Sequence, residues 1–275
     1  MASQIKGDDD TANIHSDNQI TFTLTFFNSE NLAVPSNGYI FAEKINVMII
    51  DNFDKISQYL RFDEDDFYFV QIIQRKKDGN PDLVSSNNNY RKVRSYHIQS
   101  LEDFERRRKS IMDLCRQNNA RAYIYMNRRN FCSTAIDNAI EVLTNFKLGT
   151  PKKAKESYDS CCSKYCKPHI KKKWLIDVDT KDEKVLQDYI RIVNSCRSQY
   201  NKTGEYDVCT ANVLDVIPTK NGFHLFTVCF DKGMFIQRIG EYNDTQHGGS
   251  LFTKNELKNL VMKDGQTLLY YEDNE

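Results

Sequence analysis

Trp174-Leu175-Ile176-Asp177-Val178-Asp179 is the stretch on which the reading of this chain turns. Its aromatic and β-branched residues predict a strand, and a strand's side chains alternate between two faces. Asp177 and Asp179 are therefore expected on one face, with Val178 on the other and turned to a core. Their Cα atoms would lie about 6.5–7 Å apart, at a rise of about 3.3 Å per residue. Two carboxylates so placed at a strand's end repel each other unless a cation sits between them. Mg²⁺ or Mn²⁺ suits that position, because hard divalent ions prefer carboxylate oxygens and retained waters. Such pairs serve phosphoryl and nucleotidyl transfer. The plainer alternative is a solvated strand end, with Asp179 starting the turn into the next helix.

Downstream, Thr180-Lys181-Asp182-Glu183 fits a capping box that opens a helix through Val185, Leu186, Tyr189, Ile190 and Val193. Two strands follow, 210–219 and 222–230, and the Asn221-Gly222 pair between them is a hairpin signal. Gly222 lets the backbone approach a ligand closely, and Lys220 offers a cation at the turn. His224, just inside the second strand, can donate to a phosphate oxygen or take part in acid-base work. An inert hairpin is the competing reading. The order of strand, helix and hairpin would nevertheless set His224 beside the two carboxylates.

Upstream, 122–126 reads as a strand, and Arg128 and Arg129 follow it in a loop. Arginine grips phosphate bidentately, so these two suit a triphosphate or a template backbone; exposed loop arginines are the alternative. An amphipathic helix is expected over 131–147, with Ile136, Ile140 and Leu143 at helical spacing. A second helical stretch covers 152–165. Thr253-Lys254-Asn255-Glu256 opens another helix to about residue 263, and 267–271 makes a final strand. The order from residue 120 is β-α-(α)-β-α-β-β-α-β. This predicts an α+β class, a mixed or antiparallel sheet with helices packed on one side.

Three regions are expected. Residues 1–18 form a disordered tail, and 19–119 a β-rich N-terminal α+β accessory region. Residues 120–275 form the core. Strands are read at 19–27, 38–50 and 67–74, and a helix at 100–118 whose Arg106-Arg107-Arg108-Lys109 run is a solvated face.

An apolar strand ending in Asp177-Val178-Asp179, then a helix, then a hairpin carrying Gly222-Phe223-His224 resembles the archaeo-eukaryotic primase superfamily. The likeness spans about residues 120–273 and is nearest to small primase-like proteins of phages and mobile elements. It implies a primase-like fold and a nucleotidyltransferase of primase-polymerase type that works in DNA replication. Asp177 and Asp179 would hold Mg²⁺ or Mn²⁺. His224 and Lys220 would contact the nucleoside triphosphate, with Arg128 or Arg129 adding charge. A DNA template and replication proteins such as a helicase are the implied partners. A third acid is not assigned; Asp231, Glu272 and Asp273 are the candidates. Two other readings remain open: a non-catalytic nucleic-acid-binding accessory module on a degenerate primase-like fold, and a metal-dependent nuclease.

Composition sets outer bounds. The 275 residues carry 38 Lys+Arg against 38 Asp+Glu, which excludes a strongly basic coat on nucleic acid but leaves room for a local basic site. Apolar runs such as Ala122–Met126 fall far short of the ~20 residues of a spanning helix, and 1–17 lacks an apolar signal core. A cytoplasmic protein is expected, in the host cytoplasm if viral. Eight cysteines in that setting are expected to be reduced. Cys161, Cys162, Cys166 and His169 tempt a zinc reading, but no second ligand pair follows at the usual spacing, so unrelated thiols are expected.

Overall fold

Apolar and alternating stretches of this chain build two antiparallel sheets. The structure, a computed structural model, describes residues 48–80, 83, 87–164, 172–198, 211–247 and 260–273. All of these belong to one compact unit, Ile45–Glu275. The tail at 1–18, the strand read at 19–27 and most of the one read at 38–50 lie outside the described residues.

The larger sheet contains β1 (Ile49–Asp51), β2 (Asp66–Arg75), β3 (Tyr90–Ile98), β4 (Arg121–Tyr125) and β10 (Gln266–Glu272) in the order β1-β10-β4-β2-β3. The short β5 (Arg129–Asn130) pairs with the start of β2. β2 is apolar on both faces because both are covered. Tyr68, Val70 and Ile72 pack with Phe104, Ile111 and Cys115 of helix α2 (Leu101–Asn118), whereas Phe67 and Phe69 on the other face contact Cys162. Ser100 starts α2 by accepting from the Asp103 N–H at 3.0 Å, a cap the sequence anticipates. Arg106 and Arg107 of its basic run pair with Asp103, and Arg108 with Asp51 and Asp54.

The smaller sheet contains β6 (Lys173–Val178), β7 (Val213–Pro218), β8 (Phe223–Val228) and β9 (Val261–Met262) in the order β7-β8-β6-β9. Helix α5 (Glu183–Asn194) links β6 to β7, and α6 (Lys232–His247) lies between β8 and β9. A β-α-β-β-α-β chain order with the first and third strands at the centre is the split βαβ arrangement. One face, with Trp174, Ile176, Val178 and Leu225, packs on Leu186, Tyr189, Val193, Phe235 and Ile239 of those helices. The other face, with Leu175, Ile217 and Phe226, joins the larger sheet's core against Leu269 and Tyr270. The α+β class is as expected, but as two sheets sharing a core and not one sheet backed by helices.

Several boundaries move. The division expected at 119/120 runs through the larger sheet, because β2 and β3 pair with each other and β2 pairs with β4 across it. Helix α5 begins at Glu183, not Thr180. The Thr180 N–H is already held by the Val178 carbonyl at 2.9 Å, and Asp182 caps the helix by accepting from the Lys184 N–H at 2.8 Å. The stretch at 152–165 divides into a 3-10 turn, Pro151–Glu156, and helix α4 (Ser157–Lys164). The helix read at 253–263 lies mostly outside the described residues, but its end is β9. Helix α3 (Phe131–Lys147) matches its predicted span. Among the described residues no helix is long and apolar enough to cross a membrane.

Candidate active site

β6 and β8 run antiparallel in a register that sets Asp177 directly opposite His224. Because Leu175 and Phe226 precede and follow them with the same parity, both side chains lie on the face turned to the larger sheet. His224 Nε2 is 3.4 Å from Asp177 Oδ1, and its Nδ1 is 2.9 Å from the Thr267 hydroxyl on β10. The Asp177 side chain is 41% exposed, His224 is buried, and Thr267 is fully buried. The three form a polar chain running from solvent into the seam between the sheets. Nothing in the local sequence marks Thr267 as its end, since it lies 43 residues beyond His224 on a strand of the other sheet.

The hairpin carrying His224 is locked onto the strand carrying Asp177. Its turn closes with the Thr219 N–H donating to the Gly222 carbonyl at 2.8 Å. A Cβ at Gly222 would lie 2.1 Å from the Val178 carbonyl oxygen and 2.7 Å from the Thr180 nitrogen. The glycine expected to let a ligand approach thus lets the end of β6 approach.

β6 ends at Val178, so Asp179 is exposed just beyond it and does not share a ladder position with Asp177. Its negative charge is felt at Lys77, on the 3-10 turn Lys76–Asp78 after β2. Burial holds Lys77 below the usual lysine range, and Arg75 and Arg121 push it the same way, while Asp78 and Asp179 oppose them. Lys220 turns to the same side. Its ammonium donates to the Tyr271 hydroxyl, lies 3.5 Å from Asp273 and 3.9 Å from Asp78. Burial alone would lower the pKa of Lys220, but the Tyr271 hydrogen bond and these carboxylates leave it raised. Asp78 is itself buried against Arg121, whose Nε donates to Oδ2 at 2.8 Å. A charged rim of Lys77, Asp78, Arg121, Lys220 and Asp273 therefore adjoins the Asp177–His224 pair.

The two arginines expected to bind nucleotide are occupied inside the fold. Arg129 is 0% exposed, and its guanidinium grips both oxygens of Asp264 at 3.1 and 3.0 Å. It also donates to the carbonyls of Cys162 and Asn127 and stacks on Tyr125. No donor remains for a triphosphate, so Arg129 leaves the nucleotide-binding set. Arg128 lies 2.8 Å from Asp63 and 3.1 Å from buried Asp66, which directs it away from His224 as well. Asn127 between the strand and these arginines pins β6 instead: it accepts from the Lys173 N–H at 2.7 Å and donates to its carbonyl at 2.9 Å.

The third-acid candidates also have separate duties. Asp231 accepts from the Met234 N–H at 3.0 Å in the first turn of α6. Glu272 pairs with Arg116 at 2.6 Å and with Tyr270, and Asp273 sits beside Lys220. Among the described residues no three His, Cys, Asp or Glu side chains are grouped to hold a metal ion. Cys161 and Cys162 are buried thiols whose pKa values burial pushes up to about 11 and about 12, which disfavours the thiolate that zinc requires. Cys166 and His169 lie outside the described residues.

Compared with family models, curated proteins and solved structures, the chain finds no match in any of the three.

Proposed function

We propose that this chain is a metal-dependent nucleotidyltransferase of primase-polymerase type, using nucleoside triphosphates on a nucleic-acid template. The observation that carries the reading is the register of Asp177 with His224, with Asp179 exposed immediately beyond. Two carboxylates, one of them solvent-facing beside an imidazole, are a donor set that fits Mg²⁺ or Mn²⁺. Such ions are commonly held by one or two carboxylates plus substrate phosphates and not by an all-protein cage. Asp177 and Asp179 would hold the ion, which when bound neutralises triphosphate charge and favours ionisation of an attacking hydroxyl.

The chain's own groups do the rest. Thr267 fixes the His224 ring through Nδ1, leaving Nε2 beside Asp177 to donate to a phosphate oxygen or move a proton. Lys220 and Lys77 place positive charge at the rim, on the side where Asp179 lies. The test is incorporation of labelled nucleotides with Mg²⁺ or Mn²⁺, alongside Mn²⁺ binding followed by electron paramagnetic resonance. Asp177→Ala with Asp179→Ala should abolish both and leave the unfolding midpoint unchanged. Undiminished incorporation by that variant sinks the assignment.

A second reading, a non-catalytic nucleic-acid-binding module of the replication machinery, draws on one observation: no candidate third acid joins Asp177 and His224. Salt-sensitive binding of a template without turnover would favour it. Shortened strands in the same assay would instead indicate a nuclease.

A further inference from the structure

Helix α3 is turned inside out. Its polar residues Thr134, Asn138, Glu141 and Asn145 recur at helical spacing and face the protein. Thr134 is buried, and the Ser157 hydroxyl donates to Asn138 at 2.6 Å. Glu141 pairs with Lys164 of α4 at 3.2 Å, and Thr150 donates to Asn145 at 3.2 Å. The apolar side faces outward. Ile136, Ile140, Leu143 and Phe146 are 59%, 59%, 69% and 61% exposed, and Leu148 just past the helix is 70% exposed. Those five make up most of the exposed large hydrophobic residues described, and all lie on one element. A contiguous apolar stripe of this kind marks an association surface.

We propose that this face is the interface of a homodimer, formed by antiparallel packing of α3 against α3 of a second copy. Charge distribution argues for the same chain as partner. Asp137 lies in the first half of the helix, and Lys147 ends it, followed by Lys152 and Lys153. A parallel pairing would set Lys147 beside Lys147 at the apolar seam. The antiparallel one sets each basic end against the other copy's acidic half and opposes the helix dipoles. A twofold axis between Glu141 and Val142 brings Ile140 opposite Leu143 of the second copy and Ile136 opposite its Phe146. Such an isologous contact is self-complementary, residue i meeting j and j meeting i. The 17-residue helix gives a seam about 25 Å long.

Sedimentation equilibrium of the full chain tests this. Wild type should be a dimer at about 50 μM, and Ile140→Asp with Leu143→Asp should weaken association by roughly 100-fold or more. Because both side chains are exposed, circular dichroism and the unfolding midpoint should be unchanged. Orientation is read by oxidative cross-linking in a Cys132→Ser background. A chain with Ile140→Cys should cross-link to one with Leu143→Cys in preference to itself. A monomeric wild type, whatever else then covers the face, overturns the proposal. So does a dimer indifferent to the aspartates, or cross-linking only between like positions.

Discussion

Gly222 stands so close to Val178 that a Cβ on it would lie 2.1 Å from the Val178 carbonyl oxygen. This contact ties the hairpin bearing His224 to the strand bearing Asp177, and it involves backbone on both sides. Backbone cannot rotate away as a side-chain tip can. Gly222→Ala should therefore destabilise the protein by about 1–3 kcal/mol, at the upper end of that range, and separate Asp177 from His224. Urea unfolding gives the first quantity, and nucleotide incorporation per folded molecule the second. Wild-type stability in this variant would show that the two segments part without cost.

Thr267 should behave as a positioning residue. Its hydroxyl is fully buried and meets His224 Nδ1 at 2.9 Å. Thr267→Val keeps the volume and leaves a buried ring nitrogen unpaired, at a cost of about 1–3 kcal/mol. Thr267→Ser keeps the bond. The valine variant should lose incorporation while retaining Mn²⁺ affinity, since Asp177 and Asp179 are untouched, and the serine variant should recover activity. Equal loss in both variants would mean that the methyl group matters and the hydroxyl does not.

Legibility in the sequence followed the range of the forces involved. The pairing of Asp177 with His224 was foreseeable because period-two alternation, a helix and an Asn-Gly turn are local signals that constrain register. The bounds of α3 were legible for the same reason, through its 3.6-residue period. Its orientation was not, because periodicity reveals an apolar side without saying what covers it. Strand β3 was missed: Arg91, Lys92 and Arg94 give it a polar edge-strand composition, and only pairing with β2 makes it a strand. Arg129 was misread since its partner, Asp264, is 135 residues away. No local pattern distinguishes an arginine awaiting phosphate from one buried against a distant carboxylate.

Arg129 gives a prediction with a clean contrast. Its substitution by Ala leaves Asp264 and two carbonyls without their donor and should cost about 3–5 kcal/mol. Arg129→Lys should recover little, because an ammonium cannot reproduce a bidentate grip and two further bonds. Neither variant, assayed where it remains folded, should change KM for the nucleotide. A raised KM at unchanged stability would return Arg129 to the binding site.

His97 should make stability depend on pH below neutrality. Its ring lies among Phe67, Phe69, Phe131 and Tyr158, with Nε2 3.7 Å from the Cys162 sulfur. Burial lowers its pKa below the ordinary histidine value, Arg107 pushes the same way, and Asp159 opposes them. The unfolded chain therefore binds a proton at about pH 6.5, where the folded state does not yet do so. Stability is full above that pH and declines as pH falls from it toward the lower folded pKa, below which the loss is complete. Cys162 adds no titration in this window, since burial holds its thiol at about 12. Urea unfolding between about pH 5 and pH 7.5 should thus show stability rising with pH. His97→Phe, which keeps an aromatic ring in the cluster, should remove that slope. A slope that persists in the variant would place the titrating group elsewhere.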